Sequence, residues 1–346
     1  MANYLTTDTE LTSIANAIRT KGGTQAQLTY PTGFVSAIND IPTGGGTKPD
    51  IVLTGEQQYR FQGSNGLELV NAANYTTSDL SNLTYMFSGY TGTTIPFTLN
   101  IGSYFNSIQY MFYNCVNLTT LPTINFNNHG LNANGGLTAM FYNCPNITTI
   151  PDGYFSTYNF SVMNSSTGQL GQMMFTGCHN LTHIDNSLLS NLYSSRSNAG
   201  AWQQLFYNCY SLPEILNLGI FHPTATVSRN LFSNTFHGCH SLSRLTFAAN
   251  GAARNYSNQI IGLSVNVGYS GNTANDIANS VYNHISAVET INSLPDCSAV
   301  SPPSNPNNYI YFKTGSGANT AGGSVNDLTA EEIAVATNKG WQVAFE

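Results

Sequence analysis

The phrase Phe-Tyr-Asn-Cys, or a close variant of it, returns at a nearly even interval through the middle of this chain. Copies stand at Met111–Cys115, Met140–Cys144, Met174–Cys178, Leu205–Cys209 and Thr235–Cys239. A worn copy precedes them at Met86–Tyr90, with tyrosine in place of cysteine. The phenylalanines, Phe87, Phe112, Phe141, Phe175, Phe206 and Phe236, are 25, 29, 34, 31 and 30 residues apart. Self-similarity at such a period restricts the fold to stacked units, each too small to bury its own apolar face and completed by its neighbours.

Apolar residues precede each phrase at i, i+3, i+4: Leu83, Met86, Phe87; Ile108, Met111, Phe112; Leu137, Met140, Phe141; Trp202, Leu205, Phe206. This spacing predicts a short helix with one buried face. The fourth copy slips by one residue, from Leu170 to Met174 and Phe175. Two positions after each phenylalanine stands Gly89, Asn114, Asn143, Gly177, Asn208 or Gly238, the residue types that best tolerate a left-handed helix stop. A second pattern follows: Leu118-x-x-Leu121, Ile147-x-x-Ile150, Leu181-x-x-Ile184, Leu212-x-x-Ile215 and Leu242-x-x-Leu245, often extended by residues such as Ile124, Leu218 and Phe247. It reads as a short parallel strand of the leucine-rich-repeat type. The expected fold class is an α/β repeat solenoid with a short helix and a short parallel strand per repeat.

These residues resemble the BspA-like leucine-rich repeats, whose members include bacterial surface proteins and phage tail proteins. The resemblance covers roughly residues 80–250.

Only 8% of the residues are charged, and no Lys or Arg lies between Arg60 and Arg196. Phosphate neutralisation needs clustered cations, so nucleic-acid binding is excluded as an expectation. Asn, Ser, Thr, Gly and twenty tyrosines stand in place of charge. Such a surface suits sugar recognition by aromatic faces and amides, although Asn and Gly also simply fill turns. Cys115, Cys144, Cys178, Cys209 and Cys239 hold one position in successive repeats, and five members of a column cannot all pair. They are expected to be small buried hydrophobes, with Cys297 free as well, in a protein made in a reducing cytoplasm. No secretory signal, membrane span or wall anchor is recognisable, so membrane insertion is not expected.

Residues 1–42 read as a small helical module: a capping box at Thr7 and Glu10, an apolar face of Leu11, Ile14, Ala15 and Ile18, then a second helix from Pro31. Residues 43–49 are a Gly-rich linker, residues 50–80 an N-terminal β cap with strands at Ile51–Leu53 and Tyr59–Phe61, and residues 81–250 the repeats. Residues 251–346 are expected to hold a degenerate repeat at Ser280–His284, loops at Pro302–Pro306 and Thr314–Gly323, a helix from Leu328 to Gly340, and a closing strand of Trp341, Val343 and Phe345. The segment Leu11–Gly23 followed by Tyr30–Ile38 is similar to the N-terminal module of tail and fibre proteins of phages infecting Gram-positive bacteria. That resemblance implies a virion protein bound through residues 1–42 to other tail proteins, assembled as a homotrimer and carrying its host-binding region distally.

Catalytic and metal chemistry are weakly signalled. His179 and His183, and His237 and His240 beside Cys239, fall short of four convergent ligands, so no metal or cofactor is expected. A glycan depolymerase would need two carboxylates, and Asp152 and Asp185 in adjacent repeats are the candidate pair. The reading favoured by the sequence is non-enzymatic: a tail-tip or fibre protein adhering to a host cell-surface glycan or protein. A structural tail component, a bacterial adhesin and the depolymerase are the alternatives. Contact is expected in the loops of variable length, at Asn127, Asn132, Tyr154, Tyr158 and Tyr193.

Overall fold

The computed structural model describes residues 15–16, 50–65, 74–103, 106–127, 136–158, 171–185, 188–189, 202–219, 234–248, 264–267, 280–296, 298 and 308–345. Two compact units are distinguished, Met1–Ile51 with Leu67–Tyr75, and Val52–Gly66 with Thr76–Glu346. Of the expected N-terminal module only Ala15 and Asn16, both helical, are among the described residues; the linker lies outside them.

In the second unit each phrase forms a chain of linked tight turns rather than a short helix, which corrects the reading of the apolar spacing. The residue two before each phenylalanine has positive φ: Tyr85 at 56°, Tyr110 at 55°, Ala139 at 48°, Met173 at 56°, Gln204 at 56° and Asn234 at 54°. A left-handed residue there ends any α-helix before it begins. The Gly/Asn column two residues after the ring also takes positive φ, from 53° at Asn143 to 77° at Gly177.

This alternation splits the backbone donors into two sets. In residues 83–90 the N–H groups of Met86, Ser88 and Tyr90 donate to the carbonyls of Leu83, Tyr85 and Phe87, three positions back. Those of Leu83, Tyr85, Phe87 and Gly89 donate instead to Ser107, Gln109, Met111 and Tyr113 in the following repeat, at 2.7–3.1 Å. The same register links Phe112 to Met140, Phe141 to Met174, Phe175 to Leu205 and Phe206 to Thr235.

Inside, the phenyl rings lie one on another. Phe87–Phe112, Phe112–Phe141, Phe141–Phe175, Phe175–Phe206 and Phe206–Phe236 have centroids 5.7, 5.4, 5.6, 5.8 and 6.2 Å apart, with planes within 18°. Each of these rings is essentially fully buried, worth about 1.5–3 kcal/mol apiece. The cysteines are free and buried, and they are more than fillers. Cys115 Sγ donates to Phe87 O at 3.0 Å, Cys144 to Phe112 O at 2.9 Å, Cys178 to Phe141 O at 3.1 Å, and Cys209 and Cys239 to Phe175 O and Phe206 O at 3.2 Å. Each thiol is thus a rivet from one repeat to the ring residue of the repeat before. Burial pushes the Cys144 and Cys209 thiols well up, and those of Cys178 and Cys239 up to about 12.

The stack begins one repeat earlier than the sequence reading placed it. Residues 57–64, expected to include a strand at Tyr59–Phe61, make the same turns. Tyr59 has φ 60°, the N–H groups of Tyr59, Phe61 and Gly63 donate to Thr84, Met86 and Ser88, and Phe61 stacks on Phe87 at 5.3 Å. Nor does the fourth repeat slip. Gly171 holds the place of Leu83, with Met174 N–H donating to its carbonyl. A Cβ there would lie 2.1 Å from Trp202 Cζ3, so the indole of the next repeat fills the space a side chain at 171 would occupy.

The strands ahead of and within the repeats pair in twos, the later two pairs short and parallel. β1 (Asp50–Glu56) and β2 (Asn74–Asn82) form one pair, β3 (Leu99–Asn100) and β4 (Ile124–Asn125) another, and β5 (Glu214–Leu218) and β6 (Arg244–Phe247) a third. Leu121, expected on a strand, is half-buried and precedes β4. Beyond the repeats, β7 (Ser264–Val267), β8 (Asn308–Phe312) and β9 (Trp341–Phe345) make a parallel sheet in that order, with α1 (His284–Ser293) and α2 (Ala330–Asn338). Ser280–His284 is therefore no repeat: Asn283 is the N-cap of α1 and Tyr282 stacks on Phe312. α1 covers β6, where Thr290 Oγ1 donates to Leu245 O at 2.7 Å and Glu289 pairs with Arg244 at 2.7 Å. α2 starts at a Thr329–Glu332 capping box, and Gly340 follows at φ 82°. The closing strand expected of Trp341, Val343 and Phe345 is β9, in which only Trp341 is buried and Phe345 is 42% exposed.

Candidate functional site

Where two successive repeats run from their strand segments into their loops, the surface opens into a groove of about 740 Å³ lined by Thr98, residues 119–125, 148–149, 151–154 and 156–157. Its shape follows from burial. Ile124, Phe126, Ile147 and Ile150 face the core, which turns Thr123, Thr148 and Thr149 outward. The backbone of this stretch is held across repeats by Leu99 N–H donating to Thr123 O, Thr182 N–H to Thr148 O and Ile150 N–H to His183 O. Tyr154 ties the two walls together, its hydroxyl donating to Pro122 O at 3.0 Å, and burial pushes its phenol up. The hydroxyls of Thr98, Thr120, Thr123, Thr148 and Thr149 have no hydrogen-bond partner among the described residues. They form a polar, uncharged lining that water or a ligand must satisfy.

Among the described residues that line the groove, Asp152 is the one carboxylate. It is 70% exposed at the side chain and accepts from His183 Nε2 at 3.1 Å. Asp185, its expected partner in glycan cleavage, is 1% exposed and accepts the backbone N–H of Phe155 at 3.1 Å. One carboxylate lies in solvent and the other is built into the core, so they do not face a common substrate position.

The other expected contact residues divide. Asn127 is exposed, but its amide is committed to Ile101 O. Tyr158 is 4% exposed and packs edge-on against Phe126 and Phe155, so it is a core residue and not a contact residue. Asn132 and Tyr193 lie outside the described residues. Two of the candidate histidines are stacking partners, His179 on Tyr210 at 4.5 Å and His237 on Tyr207 at 4.6 Å, while His183 pairs with Asp152. Burial, helped by His240 and Lys313, pushes His237 down. Among the described residues no group of three or more His, Cys, Asp or Glu is placed to hold a metal ion. No described helix is long and apolar enough to cross a membrane.

A second surface feature escaped the sequence reading. Tyr59, Tyr85 and Tyr110, each two residues before a core phenylalanine, stack outside the core at 5.3 and 4.6 Å with planes within 9°. Tyr110 meets Tyr113 edge-on at 5.8 Å, and Tyr113 stacks on Tyr142 at 4.8 Å. Burial and the neighbouring phenols push Tyr85 up. The signal was present in the sequence as tyrosine at one offset in three successive copies. Comparison with protein-family models, curated proteins and solved structures gave no match.

Proposed function

We propose that this chain is a non-enzymatic adhesion protein of a phage tail, whose stacked repeats form a leucine-rich-repeat-type solenoid and offer the threonine-lined groove to an uncharged host cell-surface glycan. Residues 1–42 attach it to other tail proteins, and several copies, a trimer by analogy with fibres, multiply a weak single-site affinity. The observation that carries this reading is the groove itself. Two repeats jointly present hydroxyls with no internal partner, in a region without cations. Sugar hydroxyls replace water at such groups at little cost, whereas an anionic polymer finds nothing there to neutralise it. The similarity of residues 11–38 to phage tail modules favours a virion over a cell envelope.

Incubation with purified Gram-positive cell walls, followed by sedimentation, tests it. The protein is expected to pellet with walls of a susceptible host and to be displaced by the released glycan. Thr123→Val with Thr149→Val removes two hydroxyls at about 0.5–1.5 kcal/mol each, so retention should weaken roughly 5- to 150-fold. Wild-type protein left in the supernatant with every wall preparation, or a double variant that pellets unchanged, overturns the proposal.

A further inference from the structure

We propose that the outer tyrosine column, Tyr59–Tyr85–Tyr110 continuing into Tyr113–Tyr142, is a separate carbohydrate-contact line that tracks an extended, uncharged polysaccharide strand along the direction in which the repeats stack. Three observations converge on it.

The first is the state of the hydroxyls. None of the five phenols has a hydrogen-bond partner among the described residues. Ser64 Oγ is the one buried side-chain oxygen of those residues left without a partner, so the phenolic oxygens are reached by solvent. Five donor–acceptor groups, on four successive repeats with Tyr110 and Tyr113 on the same one, are therefore open to a ligand.

The second is the spacing. Adjacent stacked rings of the column are 4.6–5.3 Å apart, an interval imposed by the backbone hydrogen bonds between repeats, which hold neighbouring chains ~4.8 Å apart as in a sheet. A pyranose unit in an extended β-linked chain, one ring and one glycosidic oxygen long, takes up a similar length. Along Tyr59–Tyr85–Tyr110, and again along Tyr113–Tyr142, successive sugars can meet successive tyrosines without either partner bending, and the rungs are fixed before the ligand arrives.

The third is the orientation of the rings. Their faces are spent on one another, so the column offers edges and hydroxyls rather than platforms for sugar rings; only Tyr59, 48% exposed, ends the stack. Recognition is then a ladder of neutral hydrogen bonds. With no Lys or Arg between Arg60 and Arg196, a neutral polymer is favoured over an anionic one.

The test uses the full chain and calorimetric titration with β-1,4-linked glucose oligosaccharides of two, three and six units, and with the α-1,4-linked hexasaccharide as a curled control. Affinity is expected to rise at least tenfold from two to six β-linked units and to fall for the α-linked chain. Tyr85→Phe with Tyr110→Phe keeps the ring stack, so the melting temperature should hold while hexasaccharide affinity drops about tenfold, equivalent to 1.4 kcal/mol. Affinity independent of length, a Tyr→Phe variant that binds like the wild type, or no binding of either hexasaccharide overturns the inference.

The column and the groove fail separately. Wall sedimentation lost with Thr123→Val and Thr149→Val but unchanged by the Tyr→Phe pair, with no oligosaccharide bound, removes the column and leaves the groove. Hexasaccharide binding without wall sedimentation does the reverse.

Discussion

If the core phenylalanines stabilise the chain as one continuous stack, their energies must couple between nearest neighbours and nowhere else. Replacing Phe141 by Leu keeps an apolar side chain but removes two stacked ring contacts, with Phe112 at 5.4 Å and Phe175 at 5.6 Å, besides a tilted one with Tyr154. At about 0.5–1.5 kcal/mol per stacked pair beyond area burial, the single change should cost about 1–3 kcal/mol. Phe112→Leu likewise removes its contacts with Phe87 and Phe141. The double variant Phe112→Leu/Phe141→Leu loses three stacked contacts, because the shared one is counted in both single variants. It should therefore be about 0.5–1.5 kcal/mol less damaging than the sum of the singles. Phe112→Leu/Phe175→Leu shares no contact, loses four, and should be additive within about 0.5 kcal/mol. Equilibrium urea unfolding by circular dichroism, with the denaturant slope compared between variants, reads these differences. Equal coupling in both pairs, or none in the adjacent pair, would refute the stacked-ring account.

Two further outcomes follow from close contacts and titration. Gly171→Ala puts a methyl against the Trp202 ring and should cost about 1–3 kcal/mol, and Trp202→Leu in the same chain should recover part of it; a neutral Gly171→Ala in thermal unfolding would show that the space is not shared. The Cys178 and Cys239 thiols, moved by burial from 9.0 to about 12, favour folding while protonated. Their contribution is complete below pH 9 and is lost as pH rises towards 12. Stability measured at pH 8 and pH 11 should fall, with a shallower fall in Cys178→Ala/Cys239→Ala; equal slopes in the two proteins would exclude the thiols as the cause.

The register of the repeats was legible because the phrase carries both the ring and the left-handed residue two positions later. The shape between them was not. Apolar residues at i, i+3 and i+4 mark a helix, but a run of three-residue turns returns side chains to one side at the same positions. What separates the two is positive φ at Tyr85, Tyr110, Ala139, Met173 and Gln204. Nothing about those residue types announces it, because the cost of about 1–2 kcal/mol is met by hydrogen bonds to the following repeat. The copy at Phe61 went unrecognised because it lacks the methionine and cysteine, although Tyr59 and Gly63 keep the offsets of Tyr85 and Gly89. For the candidate contact residues, variable loop length in the sequence does not distinguish exposed surface from core. Tyr158 is instead drawn inward by Phe126 and Phe155, a cluster that forms only once two repeats lie side by side.

The uneven repeat length has a physical meaning that the ring distances bring out. Between Phe87 and Phe206 the sequence interval varies from 25 to 34 residues. The ring interval over the same four steps stays between 5.4 and 5.8 Å. The turn-to-turn hydrogen bonds and thiol rivets therefore fix the register whatever the repeat length. Lengthening a loop costs only its closure entropy, about 0.6 kcal/mol per doubling. Core and surface are energetically separable in such a chain: the outward-facing Thr123, Thr148 and Thr149 can be exchanged while Phe112, Phe141 and their cysteines hold position.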